Sequence, residues 1–308
     1  MLNIQKAETK IGYLKVGVYG QSGSGKTYTS LLFATELAKR LKTKVLVFDT
    51  EHGTDFYKDF GFDVVYTRDI NDLIEFFKSE DYKDYGVVVI DSLTHFWDEI
   101  QDKYLESLVN SNNTKKRERG LSGELQFQDW RFIKKPYKKF MQLMLSSPKH
   151  VFFTTREGVD YKMENGELVV VGQKMRAEKE TQYEPSIVIR MMLHNLQNVA
   201  VVEKDRSGTI QGKMFKNPTF EILEPVLAKL GVHDVSVKEM NEVETADIDF
   251  LQKLDGLINE YAKKYNKTIE AVITSIIRSY NVESIDELDE KQLSEIYEKM
   301  RKAVGKNE

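Results

Sequence analysis

The sequence predicts an α/β fold built on a mainly parallel sheet, followed by a small helical module. Three observations point there. Continuous apolar runs rich in β-branched and aromatic residues recur through the first two thirds of the chain. Helical spacing fills the intervals between the early runs, and strands alternating with helices give a parallel sheet. The third is Gly20-Gln21-Ser22-Gly23-Ser24-Gly25-Lys26-Thr27, which fits G-x-x-x-x-G-K-[ST], the phosphate-binding P-loop, and that loop needs a strand before it and a helix after it.

Taken in order, Lys15-Val16-Gly17-Val18-Tyr19 reads as the first strand, and 28–41 as a helix with Leu31, Leu32, Ala34, Leu37, Ala38 and Leu41 on its apolar face. Val45-Leu46-Val47-Phe48, Val87-Val88-Val89-Ile90 and Val151-Phe152-Phe153 follow as strands. Unbroken rather than alternating runs suit strands covered on both faces. Helices are expected over 71–80 and roughly 125–146. Ile187-Val188-Ile189-Arg190-Met191-Met192 and Ala200-Val201-Val202 close the set of strands. Three stretches break the pattern: 110–124 is polar and basic, 156–182 is polar with a hairpin turn at Glu164-Asn165-Gly166, and 233–248 is acidic without a period and reads as a linker. Beyond it, three sets of residues fall at helix spacing: Phe250 to Tyr261, Ile269 to Ile277, and Leu293 to Met300. Ser284 with Glu287, and Asp289 with Gln292, look like helix starts.

The bulk numbers narrow the class. The 308 residues suit one large domain with a small appendage. A formal charge of −4 means that any nucleic-acid surface must be a local patch. The absence of Cys excludes disulfides, Cys-based zinc sites and a thiol nucleophile. The N-terminus lacks the apolar core of a signal peptide, and no apolar run is long enough to span a bilayer, so a cytoplasmic protein without a membrane partner is expected.

The P-loop glycines let backbone N–H groups turn inward on phosphate oxygens, and the helix N-terminus adds partial positive charge. Gly20 to Thr27, with Tyr28 beside them, therefore form the candidate ATP site. Lys26 is expected on the β/γ-phosphates and the Thr27 hydroxyl on Mg²⁺. Asp91, ending Val87-Val88-Val89-Ile90-Asp91, is the second candidate Mg²⁺ ligand. Asp49-Thr50-Glu51-His52 ends the neighbouring run. A carboxylate there can deprotonate an attacking water; Glu51 is the candidate base, with Asp49 tuning the site or bonding backbone N–H groups and His52 structural. Thr154-Thr155-Arg156 fits either a γ-phosphate sensor or ordinary strand-end polarity. Lys204-Asp205-Arg206 before Ser207-Gly208, taken alone, is a hairpin turn.

These constellations, in this order, resemble the RecA family of ATPases over about residues 12–220. The resemblance implies a RecA-like P-loop NTPase core, taken over 1–235; the acidic stretch then gives a linker over 236–248 and the helix-spaced sets a three-helix module over 249–308. It puts the catalytic glutamate on Glu51, the metal-binding aspartate on Asp91, and Thr155 in the place of a phosphate-sensing Asn-Gln pair, from which it departs. Lys204 and Arg206 match a Lys-x-Arg finger pair acting on a neighbouring subunit's nucleotide, which implies a homo-oligomer, filament or ring. Within the family the short N-terminus is most similar to phage RecA-like single-strand annealing proteins of the Sak type. That implies single-stranded DNA as partner, a single-strand-binding protein as a further one, and a phage-infected or prophage-bearing host. The two irregular segments fall where the family keeps its DNA-binding loops. Their cations are Lys115, Lys116, Arg117 and Arg119 in the first, and Lys162, Lys174, Arg176 and Lys179 in the second. Arg131, Lys134, Lys135, Lys138 and Lys139 read as the solvated face of a helix whose Phe127, Trp130, Phe140, Leu143 and Met144 are core. A nucleotide kinase and a regulatory NTPase with a partner other than DNA, such as a helicase loader, remain as alternatives.

Overall fold

The computed structural model describes residues 12–164, 167–194, 197–232, 245–280, 288 and 290–305. Strand β1 (Lys15–Gly20) runs into the P-loop and helix α1 (Lys26–Leu41). Then come β2 (Lys44–Asp49), β3 (Asp63–Tyr66), α2 (Ile70–Lys78), β4 (Tyr85–Asp91), α3 (Leu93–Val109), α4 (Thr114–Ser122) and α5 (Asp129–Ser146). The core continues through β5 (His150–Glu164), β6 (Glu167–Met175), β7 (Ile187–His194), β8 (Gln197–Asp205), β9 (Met214–Lys216) and α6 (Glu224–Lys229). The sheet order is β3-β2-β4-β5-β1-β7-β8-β9, with β6 paired to β5 alone. All pairings from β3 to β7 are parallel, whereas β7–β8, β8–β9 and β5–β6 are antiparallel. The mainly parallel α/β core expected from the sequence is therefore present.

Strand alternation divides the core in two. Val16, Val18, Val45, Val47, Val87, Val89 and Phe152 pack with the apolar face of α1. Their neighbours Tyr19, Leu46, Phe48, Val88, Ile90, Val151 and Phe153 pack on the opposite face with α2, α3 and α5. Both faces are covered, which is why the runs are unbroken.

Several expectations are corrected. The basic stretch 110–124 is not a loop: it contains α4, begun by Asn113, whose side chain accepts from Lys116 N at 3.2 Å, and ended by Gly123 at φ 71°. The excursion 156–182 is largely a two-stranded arm, because β5 continues past the sheet and pairs with β6 from Glu157↔Met175 to Glu164↔Glu167. Its turn residues Asn165 and Gly166 lie outside the described residues. Helix α3 and strands β3 and β9 were not read from the sequence. Of the stretch read as a linker, 233–244 lies outside the described residues, as do the helix starts at Ser284 and Asp289. Helix α7 (Thr245–Lys264) begins within that stretch. With α8 (Ile269–Tyr280) and α9 (Glu290–Val304) it encloses a separate apolar cluster of Leu254, Ile258, Val272, Ile276 and Ile296. Among the described residues no helix is long and apolar enough to cross a membrane.

At the far end of β1 from the P-loop, Lys15 is only 5% exposed. Its ammonium donates to Ser147 O at 3.2 Å, Ser147 Oγ at 3.1 Å and Lys149 O. Burial, then the nearby Lys149 charge, pushes the Lys15 pKa down from 10.5 to about 7.

Candidate active site

The C-terminal ends of β1, β2 and β4, with the middle of β5, open on a cleft of about 1050 Å³. The parallel sheet directs the chain's chemistry there, as such sheets do. Gly20, Gln21, Ser22, Gly23, Gly25, Lys26, Thr27 and Tyr28 line it, together with Glu51, Asp91, Arg156 and Asn198. Two glycines are required by geometry. A Cβ on Gly20 would collide with the Met191 carbonyl, and Gly25, at φ 82°, would bring one within 2.7 Å of the Asn198 amide. Ser24 differs from expectation: its side chain is 1% exposed and turns inward, donating to Gln21 O at 2.8 Å. Lys26 Nζ folds back over the loop onto Gln21 O at 2.7 Å. Burial lowers the Lys26 pKa, opposed by the Asp91 and Glu51 carboxylates.

Alternation along β4 and β5 sets the metal side. Asp91 continues the α1 face after Val87 and Val89, and Thr154 continues it after Phe152. Asp91 Oδ2 accepts from Thr27 Oγ1 at 2.6 Å, and Oδ1 accepts from Thr154 Oγ1. Burial raises the Asp91 pKa, tempered by these two hydroxyls. Two hard oxygen donors in contact fit a Mg²⁺ ion that takes its remaining ligands from phosphate and water. Among the described residues no cluster of three acidic or imidazole groups could hold a metal alone. The same alternation overturns the sensor reading of Thr155. It faces away from Asp91, fully buried, with its hydroxyl unbonded among the described residues. Thr154 is the strand-end hydroxyl that touches the site.

Glu51 projects from the end of β2. The turn is made by Asp49, whose Oδ1 accepts from Glu51 N at 2.9 Å and whose Oδ2 accepts from Thr54 N at 2.9 Å and Thr54 Oγ1 at 2.6 Å. Burial works against ionisation of Asp49, but these hydrogen bonds outweigh it and hold its pKa below the ordinary value. Asp49 thus bonds backbone N–H groups, one of the two roles read for it from the sequence. His52 stacks on Tyr66 with ring centres 4.3 Å apart and does not line the cleft. Two nitrogens meet the same oxygen of Glu51: Arg156 Nη2 donates to it at 2.9 Å, and His95 Nε2 lies 3.0 Å from it. Sequence reasoning missed His95, which sits in the first turn of α3. Thr94 beside it accepts from Arg156 N at 2.9 Å and donates to Arg176 O at 2.7 Å, joining that turn to the root of the β5–β6 arm.

Lys204 and Arg206 lie at the other end of the sheet. Lys204 is level with Val188 and hence with Gly17, about 10 Å along the strand from Gly20 at ~3.3 Å per residue. Arg206 N bonds Ser186 O, further still from the P-loop. Both side chains donate to Tyr183 O, at 2.6 and 3.1 Å. They are remote from the cleft of their own chain.

The candidate DNA contacts divide. Lys115, Lys116 and Arg117 are exposed on α4. Arg119 is not available: its side chain is 15% exposed and pairs with Asp129, which also accepts from Tyr104 Oη at 2.8 Å. It fastens α4 to the start of α5. On the arm, Lys174 pairs with Asp160 at 2.9 Å, Arg176 with Asp98 at 3.1 Å and Lys179 with Glu180 at 3.5 Å. Lys162 is exposed.

Comparison with known proteins gives one family match: a family described as an AAA domain matches residues 13–214. Among solved structures, a KaiC-like protein from the hyperthermophilic archaeon Pyrococcus horikoshii OT3 is similar at a TM-score of 0.38 and 13% identity, covering 67% of this chain and 86% of that one. The flagellar accessory protein FlaH from Methanocaldococcus jannaschii is similar at 0.38 and 10%, covering 68% and 88%. No curated protein sequence matches.

Proposed function

The chain belongs to the AAA-domain family through residues 13–214, and we propose that it is an ATPase of the phage RecA-like annealing and recombination type, binding single-stranded DNA as a homo-oligomer. The observation that carries the hydrolytic part is Glu51, a carboxylate lining the same cleft as the P-loop, with one oxygen accepting from Arg156 and in contact with His95. Lys26 neutralises charge on the β/γ-phosphates, and backbone N–H groups of the loop orient them. Mg²⁺ held by Thr27 and Asp91 would offset phosphate charge there. Glu51 takes a proton from water as its oxygen bonds to the γ-phosphorus; the bond to the bridging oxygen breaks and ADP keeps that electron pair.

The DNA part rests on the exposed cations of α4 and on the arm that springs from the cleft wall. The oligomer rests on Lys204 and Arg206, whose distance from their own cleft leaves a neighbour's nucleotide as the one they would serve. Pairing of Arg119, Lys174, Arg176 and Lys179 with carboxylates favours a second reading, a regulatory NTPase with a partner other than DNA. Phosphate release from ATP, measured with and without single-stranded DNA, separates them. Stimulation by DNA supports the first reading; hydrolysis indifferent to DNA, with no DNA binding in any nucleotide state, supports the second. Absence of hydrolysis in both conditions refutes the ATPase itself. Glu51→Gln should still bind ATP but not turn it over, whereas Lys26→Ala should lose binding. Equal loss of ATP affinity in both would remove Glu51 from the catalytic role.

A further inference from the structure

The imidazole of His95 sits between two groups of the site without lining the cleft. Its Nε2 is 3.0 Å from Glu51 Oε1, and its Nδ1 is 2.7 Å from Thr50 Oγ1. Thr50 Oγ1 accepts from Ser92 N at 3.0 Å, and its own proton has two possible destinations. One is Asp91 O at 3.1 Å, which already accepts from Thr50 N at 2.8 Å. The other is the closer Nδ1. If the proton went to Asp91 O, Nδ1 would have to carry hydrogen. A neutral ring would then aim a bare Nε2 at a carboxylate, which is repulsive. The remaining way to protonate Nε2 would be a charged ring in a site where the side chain is 11% exposed. Burial lowers the His95 pKa, with Glu51 opposing and Arg156 and Arg68 reinforcing, which disfavours the charged ring. One arrangement suits every neighbour: Ser92 N–H to Thr50 Oγ1, Thr50 O–H to His95 Nδ1, and the Nε2 hydrogen on the side of the ring where Glu51 Oε1 stands 3.0 Å away.

Arg156 donates to that same Oε1, so both nitrogens stand on one oxygen of the carboxylate. We infer that His95, with its tautomer fixed by Thr50, is a positioning residue that holds Oε1 of Glu51 and leaves Oε2 to take the proton from water. The inference rests on the ATPase reading above. Holding one oxygen from the side fixes the plane of a carboxylate that is otherwise 44% exposed and free to rotate. A hydroxyl orients a ring, and the ring orients the base, from behind the reacting atoms.

The test compares ATP turnover in the wild type, His95→Leu, His95→Gln and Thr50→Val. Glutamine carries an amide N–H to roughly where Nε2 stands; leucine does not. His95→Leu should lower kcat about 10- to 100-fold with KM within about twofold, and His95→Gln should recover most of the loss. Thr50→Val should fall between them. In a Glu51→Gln background, His95→Leu should have no further effect. Binding of a non-hydrolysed ATP analogue at wild-type affinity shows that each variant is folded. A kcat within twofold of wild type in His95→Leu overturns the inference, as does a loss that appears wholly in KM. Nitrogen NMR of the imidazole in the unliganded protein reads the tautomer independently of turnover. A proton on Nε2 with bare Nδ1 supports the inference; a proton on Nδ1 overturns it even if the wild type hydrolyses ATP. A wild type that hydrolyses nothing but shows the Nε2–H tautomer would instead refute the ATPase reading alone.

Discussion

Lys15 gives the most quantitative prediction. Its pKa is about 7 in the folded chain against 10.5 when solvated. Between those values the unfolded chain binds a proton that the folded chain does not, so stability rises with pH. The contribution is complete above 10.5 and is lost as pH falls to about 7. One pKa unit corresponds to ~1.4 kcal/mol. Integrating the two titrations from pH 7 to pH 9 gives a gain of about 2 kcal/mol. The assay is urea unfolding of the wild type and Lys15→Met at pH 7, 8 and 9. Lys15→Met has a side chain of similar length without the charge, so its stability carries no contribution from the Lys15 titration over this range. Lys26, Lys149 and Lys204, whose pKa values are also lowered, titrate in both proteins and cancel in the difference, apart from the Lys149 coupling. The wild-type stability should therefore climb away from that of Lys15→Met by about 2 kcal/mol over this range. Parallel curves would show that the three oxygens around Lys15 keep it charged, and the burial argument would fail.

Further outcomes follow from the site. The double variant Lys204→Ala, Arg206→Ala and the variant Glu51→Gln should each be nearly inactive with DNA, yet regain turnover when mixed and co-assembled, because finger and base then come from different chains; no recovery on mixing rules out action across an interface. Neutralising Lys115, Lys116 and Arg117 should flatten the salt dependence of single-stranded DNA affinity by ~0.7 per lost phosphate contact, read by titration at several salt concentrations; an unchanged slope places the DNA elsewhere. Arg119→Ala should act instead on stability, by about 3–5 kcal/mol, because it leaves Asp129 buried without its cation; denaturation decides this, and a loss below 1 kcal/mol would make the pair incidental. A chain ending at residue 232 should bind ATP normally if the helices from Thr245 form a unit of their own; insolubility or lost binding would show that they do not.

Much of the site was legible because its chemistry is local in sequence. The P-loop, the acidic strand end at Glu51 and the buried strand ending in Asp91 each sit within one short segment. What was missed depends on parity or distance. Thr154 and Thr155 are equivalent in composition, and only the alternation continuing Phe152 and Phe153 tells which one meets Asp91. That signal was present in the strand and went unread. So was the alternation of Val159, Tyr161 and Met163, which marks the arm as β-structure. Asn113 and Gly123 likewise marked α4 as a helix, although its charge suggested a loop. His95 carried no comparable cue. Its partner Glu51 is 44 residues away, and only the parallel pairing of β2 with β4 brings the two strand ends together.

The placement of Lys204 and Arg206 opposite the cleft gives each chain a direction. In the proposed assembly every copy has a donor end and an acceptor end, so contacts run head to tail and the number of complete sites equals the number of interfaces. A closed ring would have as many working sites as copies. An open filament would have one fewer, with an idle cleft at one tip. Turnover per copy would then rise with filament length and saturate. A dilution series would read that arithmetic: short filaments would show the missing site, and a ring would keep constant specific activity until it fell apart.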